Sequence, residues 1–74
     1  MSEYSIWAQI HHTAPQEFVV VVSAVPAATD QNPDVQLRVA SNLQTAESTR
    51  EALLVEVGQR LRHQGSRVVD VIEE

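Results

Sequence analysis

The stretch Glu17–Pro26 is the most apolar part of this chain, and every residue from Phe18 to Val22 is apolar. If the stretch forms a β-strand, its side chains alternate between two faces, and both faces are apolar. An antiparallel strand with one side in water would alternate apolar and polar residues instead. The stretch therefore predicts a central strand of a sheet, with both of its faces in need of a cover.

Size and composition limit what can cover that strand. The chain has 74 residues, enough for one small domain with a small core. It has no cysteine, so neither a disulfide nor a thiolate metal site is expected. The net charge is −5, with ten acidic residues against five basic ones. An acidic chain argues against binding to a nucleic-acid backbone, which depends on clustered positive charge.

The segments on either side of the apolar stretch predict two more strands. Tyr4–His11 alternates with period two, and a turn around Pro15 follows it, so it forms an antiparallel hairpin with the apolar stretch. Residues 26–34 are rich in proline, aspartate and asparagine and predict a loop. Val35–Ala40 predicts a third strand with one polar side, which places it near a sheet edge or against water.

A helix follows, and two residues compete for its start. Thr45 is one candidate cap, while Ser48 with Glu51 three residues later matches a capping box, and we favour Ser48. Gly65 fits the left-handed position just past the helix end. One stripe of the helix is apolar and predicts its core face: Ala46, Leu53, Leu54, Val57 and Leu61.

Ser66–Ile72 predicts the last strand, and residues 73–74 form an acidic end that we expect to fray. The order is then β-β-β-α-β. The sequence predicts a single small α+β domain with a four-stranded mixed sheet and one helix packed on one face. It leaves open whether the last strand lies beside the third strand or beside the first.

No arrangement of residues indicates catalysis, a metal or a cofactor. His11 and His12 are adjacent in a strand, so they point to opposite faces and do not share a metal, and His63 has no supporting spacing. Ser23 lacks the glycines of a nucleophile elbow, and two glycines are too few for a phosphate loop. Asp30, Asn32 and Asp34 lack the central glycine and the terminal glutamate of a calcium loop. We therefore predict no catalytic residue, no cofactor and no metal ligand.

One helix covers one face of a four-stranded sheet, and the second face is the predicted functional surface. The side chains expected to meet the helix are Tyr4, Ile6, Ala8, Ile10, Val35, Leu37 and Val39, with one face of the apolar stretch. The second face would then carry a greasy middle with polar residues around it, which is typical of an interaction patch. The predicted interaction face is Trp7, Gln9, His11, Val19, Val21 and Arg38, with Gln36 beside it.

Two kinds of function fit this reading. The first is a non-catalytic protein-interaction module that pairs with itself, as a two-fold homodimer, or with another protein, through the uncovered sheet face or a strand edge. The alternative is a small-ligand-binding domain or minor enzyme that uses His11, His12 and Arg38 around Trp7. The apolar run is too short to cross a membrane and lacks the positive flank of a signal peptide, so we expect a cytoplasmic location.

Overall fold

The computed structural model describes residues 2–28 and 32–74. It contains β1 Glu3–Ala14, β2 Glu17–Pro26, β3 Asp34–Ala40, α1 Leu43–His63 and β4 Arg67–Glu73. The sheet order is β3-β2-β1-β4, with β1–β2 and β2–β3 antiparallel and β1–β4 parallel. The predicted β-β-β-α-β mixed sheet with one helix is confirmed within the described residues, and β4 lies beside β1. β2, the apolar stretch, has a strand on each side.

The core lies between the helix and one face of the sheet, which we call the helix face. The predicted helix stripe is confirmed: Ala46, Leu53, Val57 and Leu61 are buried, and Leu54 packs against them. The buried strand residues opposite them are Ile6, Ala8, Val20, Val22, Ala24 and Ala40. Several of these are alanines, whose short side chains let the helix approach the sheet closely.

The helix begins earlier than the capping box predicted. Asn42 is the N-cap, and its side-chain oxygen accepts a hydrogen bond from the Thr45 backbone N–H at 2.8 Å. Ser48, which we favoured, lies one turn and a half inside the helix, so that prediction was wrong. A cap at Asn42 satisfies a free N–H of the first turn and adds a turn that carries the buried Ala46.

The helix ends at His63, and Gly65 just past it has a φ of 78°, as predicted. The Gly65 N–H donates to the Arg62 carbonyl at 3.0 Å, and the Ser66 N–H donates to the Leu61 carbonyl at 2.9 Å. This pair of hydrogen bonds is a Schellman motif, and it needs a residue in the left-handed region at its centre. The motif turns the chain directly into β4.

The side of β3 that faces the helix, which we call the phase of the strand, is the opposite of the one we expected. Val35, Leu37 and Val39 were expected to meet the helix, yet they are 48%, 57% and 68% exposed. Arg38 lies opposite the buried Val20 instead, on the helix face. The reason is Ala40, which is 6% exposed because only Ser41 separates it from the helix cap. Ala40 packs in the core beneath the helix, and the period of two then assigns the rest of β3.

An ion pair on the same side supports this phase. Nη2 of Arg60 in the helix lies 3.2 Å from Oδ2 of Asp34 at the start of β3. The two atoms are close enough for an ion pair but are not aligned for a hydrogen bond. Both side chains are substantially exposed, so the pair contributes little stability and mainly marks which side of β3 faces the helix.

The acidic C-terminal residues, which we expected to fray, continue the pairing of β4 with β1. Glu73 belongs to β4, and the Glu74 N–H donates to the Ala8 carbonyl at 3.0 Å. β4 also contains a bulge, because Tyr4 pairs with Val68 whereas Ser5 pairs with Asp70. Within the predicted loop 26–34, residues 29–31, including Asp30 of the calcium-loop reading, lie outside the described residues.

Candidate functional site

The face of the sheet away from the helix, which we call the open face, carries a regular array of side chains. Cross-strand partners in an antiparallel pair share a face, so the register of β1, β2 and β3 defines rows across the sheet. The three rows are Trp7–Ser23–Val35, Gln9–Val21–Leu37 and His11–Val19–Val39. Val21 occupies the centre of this array, and the β3 side of it is wholly apolar.

The apolar members form one contiguous surface, which we call the open-face patch: Trp7, Val19, Val21, Val35, Leu37 and Val39. Trp7 is 37% exposed, and the three β3 residues are more exposed still. The helix packs on the other face, and no other described element lies over the patch. Isolated apolar side chains are common on protein surfaces, but a contiguous patch across three strands is not.

Five of the six residues predicted for the interaction face share the open face: Trp7, Gln9, His11, Val19 and Val21. The sixth, Arg38, lies on the helix face with Gln36, so their predicted placement was wrong. Val35, Leu37 and Val39 take that place and make the surface more apolar than expected. The signal that the sequence analysis overlooked is Ala40, a small apolar residue two positions before the helix cap. Its burial determines which side of β3 faces the helix.

Polar side chains border the patch on the β1 side. Gln9 Nε2 donates to Glu74 Oε2 at 2.7 Å, and His11 Nε2 lies 3.1 Å from Gln9 Oε1. An amide oxygen only accepts hydrogen bonds, so His11 Nε2 donates to it in the tautomer that carries hydrogen on this nitrogen. In this hydrogen-bonded series His11–Gln9–Glu74, both polar atoms of the Gln9 side chain have partners within the protein. The series therefore forms a polar rim along one side of the apolar surface.

The residues of the alternative ligand site are not brought together. His12 pairs with Phe18 and stacks on its ring, with centroids 4.3 Å apart and an interplanar angle of 6°. Phe18 packs against the core on the helix face, so His12 lies on that face, as Arg38 does. His11 and Trp7 lie on the open face. A sheet therefore separates the two pairs, and they do not form one concave site.

Other potential sites offer less. A wide groove near the helix end is lined by Gln59, Arg62 and His63, all of them exposed. Among residues 2–28 and 32–74, no group of three or more His, Cys, Asp or Glu side chains is arranged to hold a metal ion. No helix in the described part of the chain is long and apolar enough to span a membrane.

The charge of the open face also limits its partners. None of the nine residues in the array is Asp, Glu, Lys or Arg. Arg38 faces the helix, Arg50, Arg60 and Arg62 belong to the helix, and Arg67 begins β4. The array is therefore largely apolar and lacks the positive charge that a phosphate-bearing partner requires.

Comparison with known proteins adds no relative: the chain matches no family model, no curated protein and no solved structure.

Proposed function

We propose that this chain is a non-catalytic protein-interaction module and that the open face of its sheet is the binding surface. The observation that carries the proposal is the open-face patch, a contiguous apolar surface on a sheet whose other face already has a helix. The partner is a protein, either a second copy of the chain or a different chain. A strand edge is the other surface through which self-association would occur.

The composition of the open face supports this role. Tryptophan, valine and leucine occupy the middle, and Gln9, His11 and Glu74 lie at one side, which is the apolar centre and polar rim of a protein interface. The separation of His11 from His12 and Arg38 supports the absence of a catalytic role. A cytoplasmic location is part of the proposal.

Site-specific photo-crosslinking in living cells tests the binding surface. The two positions compared are Leu37 in the patch and Val55 on the outer side of the helix, which are 57% and 58% exposed. A benzophenone side chain replaces each residue in turn in the full chain. We expect a discrete protein adduct from position 37 and none from position 55, because only the patch contacts a protein. The adduct supports the proposal whether it contains one kind of chain or two.

Equal yields of protein adduct at positions 37 and 55 would show that the patch contacts protein no more than the outer side of the helix does, and the proposal would fail. Absence of any adduct from position 37, repeated with the group at position 39, would have the same meaning.

A further inference from the structure

We infer that the occupant of the open face is a second copy of this chain, packed sheet against sheet about a two-fold axis that passes near Val21. This inference rests on the proposed function and names its partner. The two open-face patches would meet face to face, with the helices on the outside. The result is a four-layer dimer, helix-sheet-sheet-helix, in which both sides of β2 are covered.

The area of the face matches what such a dimer needs. With strands about 4.8 Å apart and about 3.3 Å per residue, the four strands span a face of about 570 Å². Specific complexes begin at about 600 Å² of accessible surface buried per partner. Side chains project from the sheet, so their accessible area exceeds the flat area of the strands. The face is therefore large enough for a dimer at the small end of the specific range.

The array has the self-complementarity that two-fold symmetry requires. Val21 is central, with Leu37 on one side and Gln9 on the other. An axis near Val21 and perpendicular to the strands places β2 and β3 of one copy over β2 and β3 of the other. Valine and leucine then meet valine and leucine, and the Gln9 side meets its own counterpart.

Charge permits a second copy in spite of the acidic chain. Each copy has a net charge of −5 and repels the other at long range. The nine residues of the array include none of the ten acidic side chains, so close approach of the two patches brings no carboxylates together within them. Carboxylates meet only beyond the array on the β4 side, where Asp70 pairs with Ser5 and Glu74 accepts from Gln9. Salt at physiological concentration screens the rest over about 8 Å.

Pairing at a strand edge is the weaker arrangement. The β4 edge carries Asp70 and Glu73, which a two-fold pair would bring near their counterparts. The β3 edge would allow antiparallel pairing about Leu37, but the product is a wider sheet whose apolar open face stays in water. Hydrophobic burial, the main driving force of association, is gained only when the faces meet.

Dilution of the purified wild-type chain tests the inference without any substitution. Trp7 is the only tryptophan and lies in the patch, two strands away from the β3 edge. We expect light scattering to give twice the chain mass at about 100 μM, as for a small specific interface. On dilution to monomer, the Trp7 emission should shift to longer wavelength and acrylamide quenching should rise, because the interface no longer covers the ring.

Matched variants then locate the interface. Leu37→Glu should raise the dimer dissociation constant roughly 100-fold or more, because it buries an unpaired carboxylate. Val55→Glu, at a site of equal exposure on the helix, should leave the constant unchanged. Circular dichroism of both variants checks that each keeps the fold.

Three outcomes would overturn the inference. A monomer at about 100 μM would do so, and a crosslink to a different protein at position 37 would then leave the proposed function standing. A dimer in which Trp7 emission and quenching do not change on dilution would indicate edge pairing. A dimer weakened equally by Leu37→Glu and Val55→Glu would place the interface elsewhere.

Discussion

At the residue scale, Asn42 fixes where the helix begins. Its side-chain oxygen accepts from the Thr45 N–H, one of the backbone donors that a helix start leaves without a partner. Serine and threonine later in the segment resemble caps in sequence, but within the helix they only compete with the backbone for hydrogen bonds. Asn is a preferred N-cap residue, so the sequence offered Asn42 as a candidate. The sequence analysis chose Ser48 instead because of its capping-box pattern.

Asn42→Ala should therefore lower the free energy of unfolding by about 1 kcal/mol, because the first turn loses its side-chain acceptor. The matched control is Ser48→Ala, at an exposed position inside the helix, which should change stability by less than about 0.5 kcal/mol. Urea unfolding followed by circular dichroism at one protein concentration measures both. Equal losses from the two substitutions would contradict the assignment of the cap.

At the element scale, the two glycines of the chain differ: one lies inside the helix and the other just past its end. Gly58 lies inside it, and a Cβ there would meet nothing nearer than the Arg62 guanidinium at 3.9 Å. The helix therefore has room for a methyl group at this position. Gly65 has open space around it but a φ of 78°, which a residue with a Cβ adopts only at a cost.

Gly58→Ala should raise the free energy of unfolding by about 0.5–1 kcal/mol, because alanine loses less backbone entropy in a helix and finds room here. Gly65→Ala should lower it by about 1 kcal/mol, because the Schellman motif needs the left-handed conformation. Thermal and urea unfolding of both variants gives the signs. A loss of stability in Gly58→Ala would mean that the helix has no space for the added methyl group.

The strands show which features of an element its own pattern determines. Alternation in Tyr4–His11 and Val35–Ala40 predicted strands, and the short turn at Pro15 predicted the hairpin. The pattern of β3 also showed that one side is apolar and the other polar. It did not show which side meets the helix, since the same alternation fits either phase until Ala40 is tied to the helix cap.

At the scale of the whole molecule, the protein is a two-layer structure with an apolar patch on the open face of its sheet. Its shortest dimension, measured on Cα atoms, is 15 Å, as expected for one helix on one sheet. A chain of this size has a small core, and a second copy on the open face would extend that core. Stability and association are then expected to be linked.

The midpoint of thermal unfolding should therefore rise with protein concentration, by roughly 5 °C or more between about 1 and 100 μM, because only the folded chain forms the dimer. Leu37→Glu should abolish this dependence while Val55→Glu retains it. Calorimetry or circular dichroism at several concentrations measures the effect. A midpoint that does not depend on concentration in the wild-type chain would contradict the link.

The sequence by itself determined the order of elements, the central position of β2, the helix stripe, the left-handed Gly65 just past the helix and five members of the open face. These depend on local periodicity, on φ preferences and on the apolarity of β2 at every position. Only the tertiary structure decided the phase of β3, the position of β4 beside β1 and the separation of Arg38 from Trp7. The position of β4 depends on pairing with a strand that is distant in sequence. The other two features depend on which side of β3 packs against the helix, and burial of that side exposes Val35, Leu37 and Val39 on the surface that we propose binds a second copy.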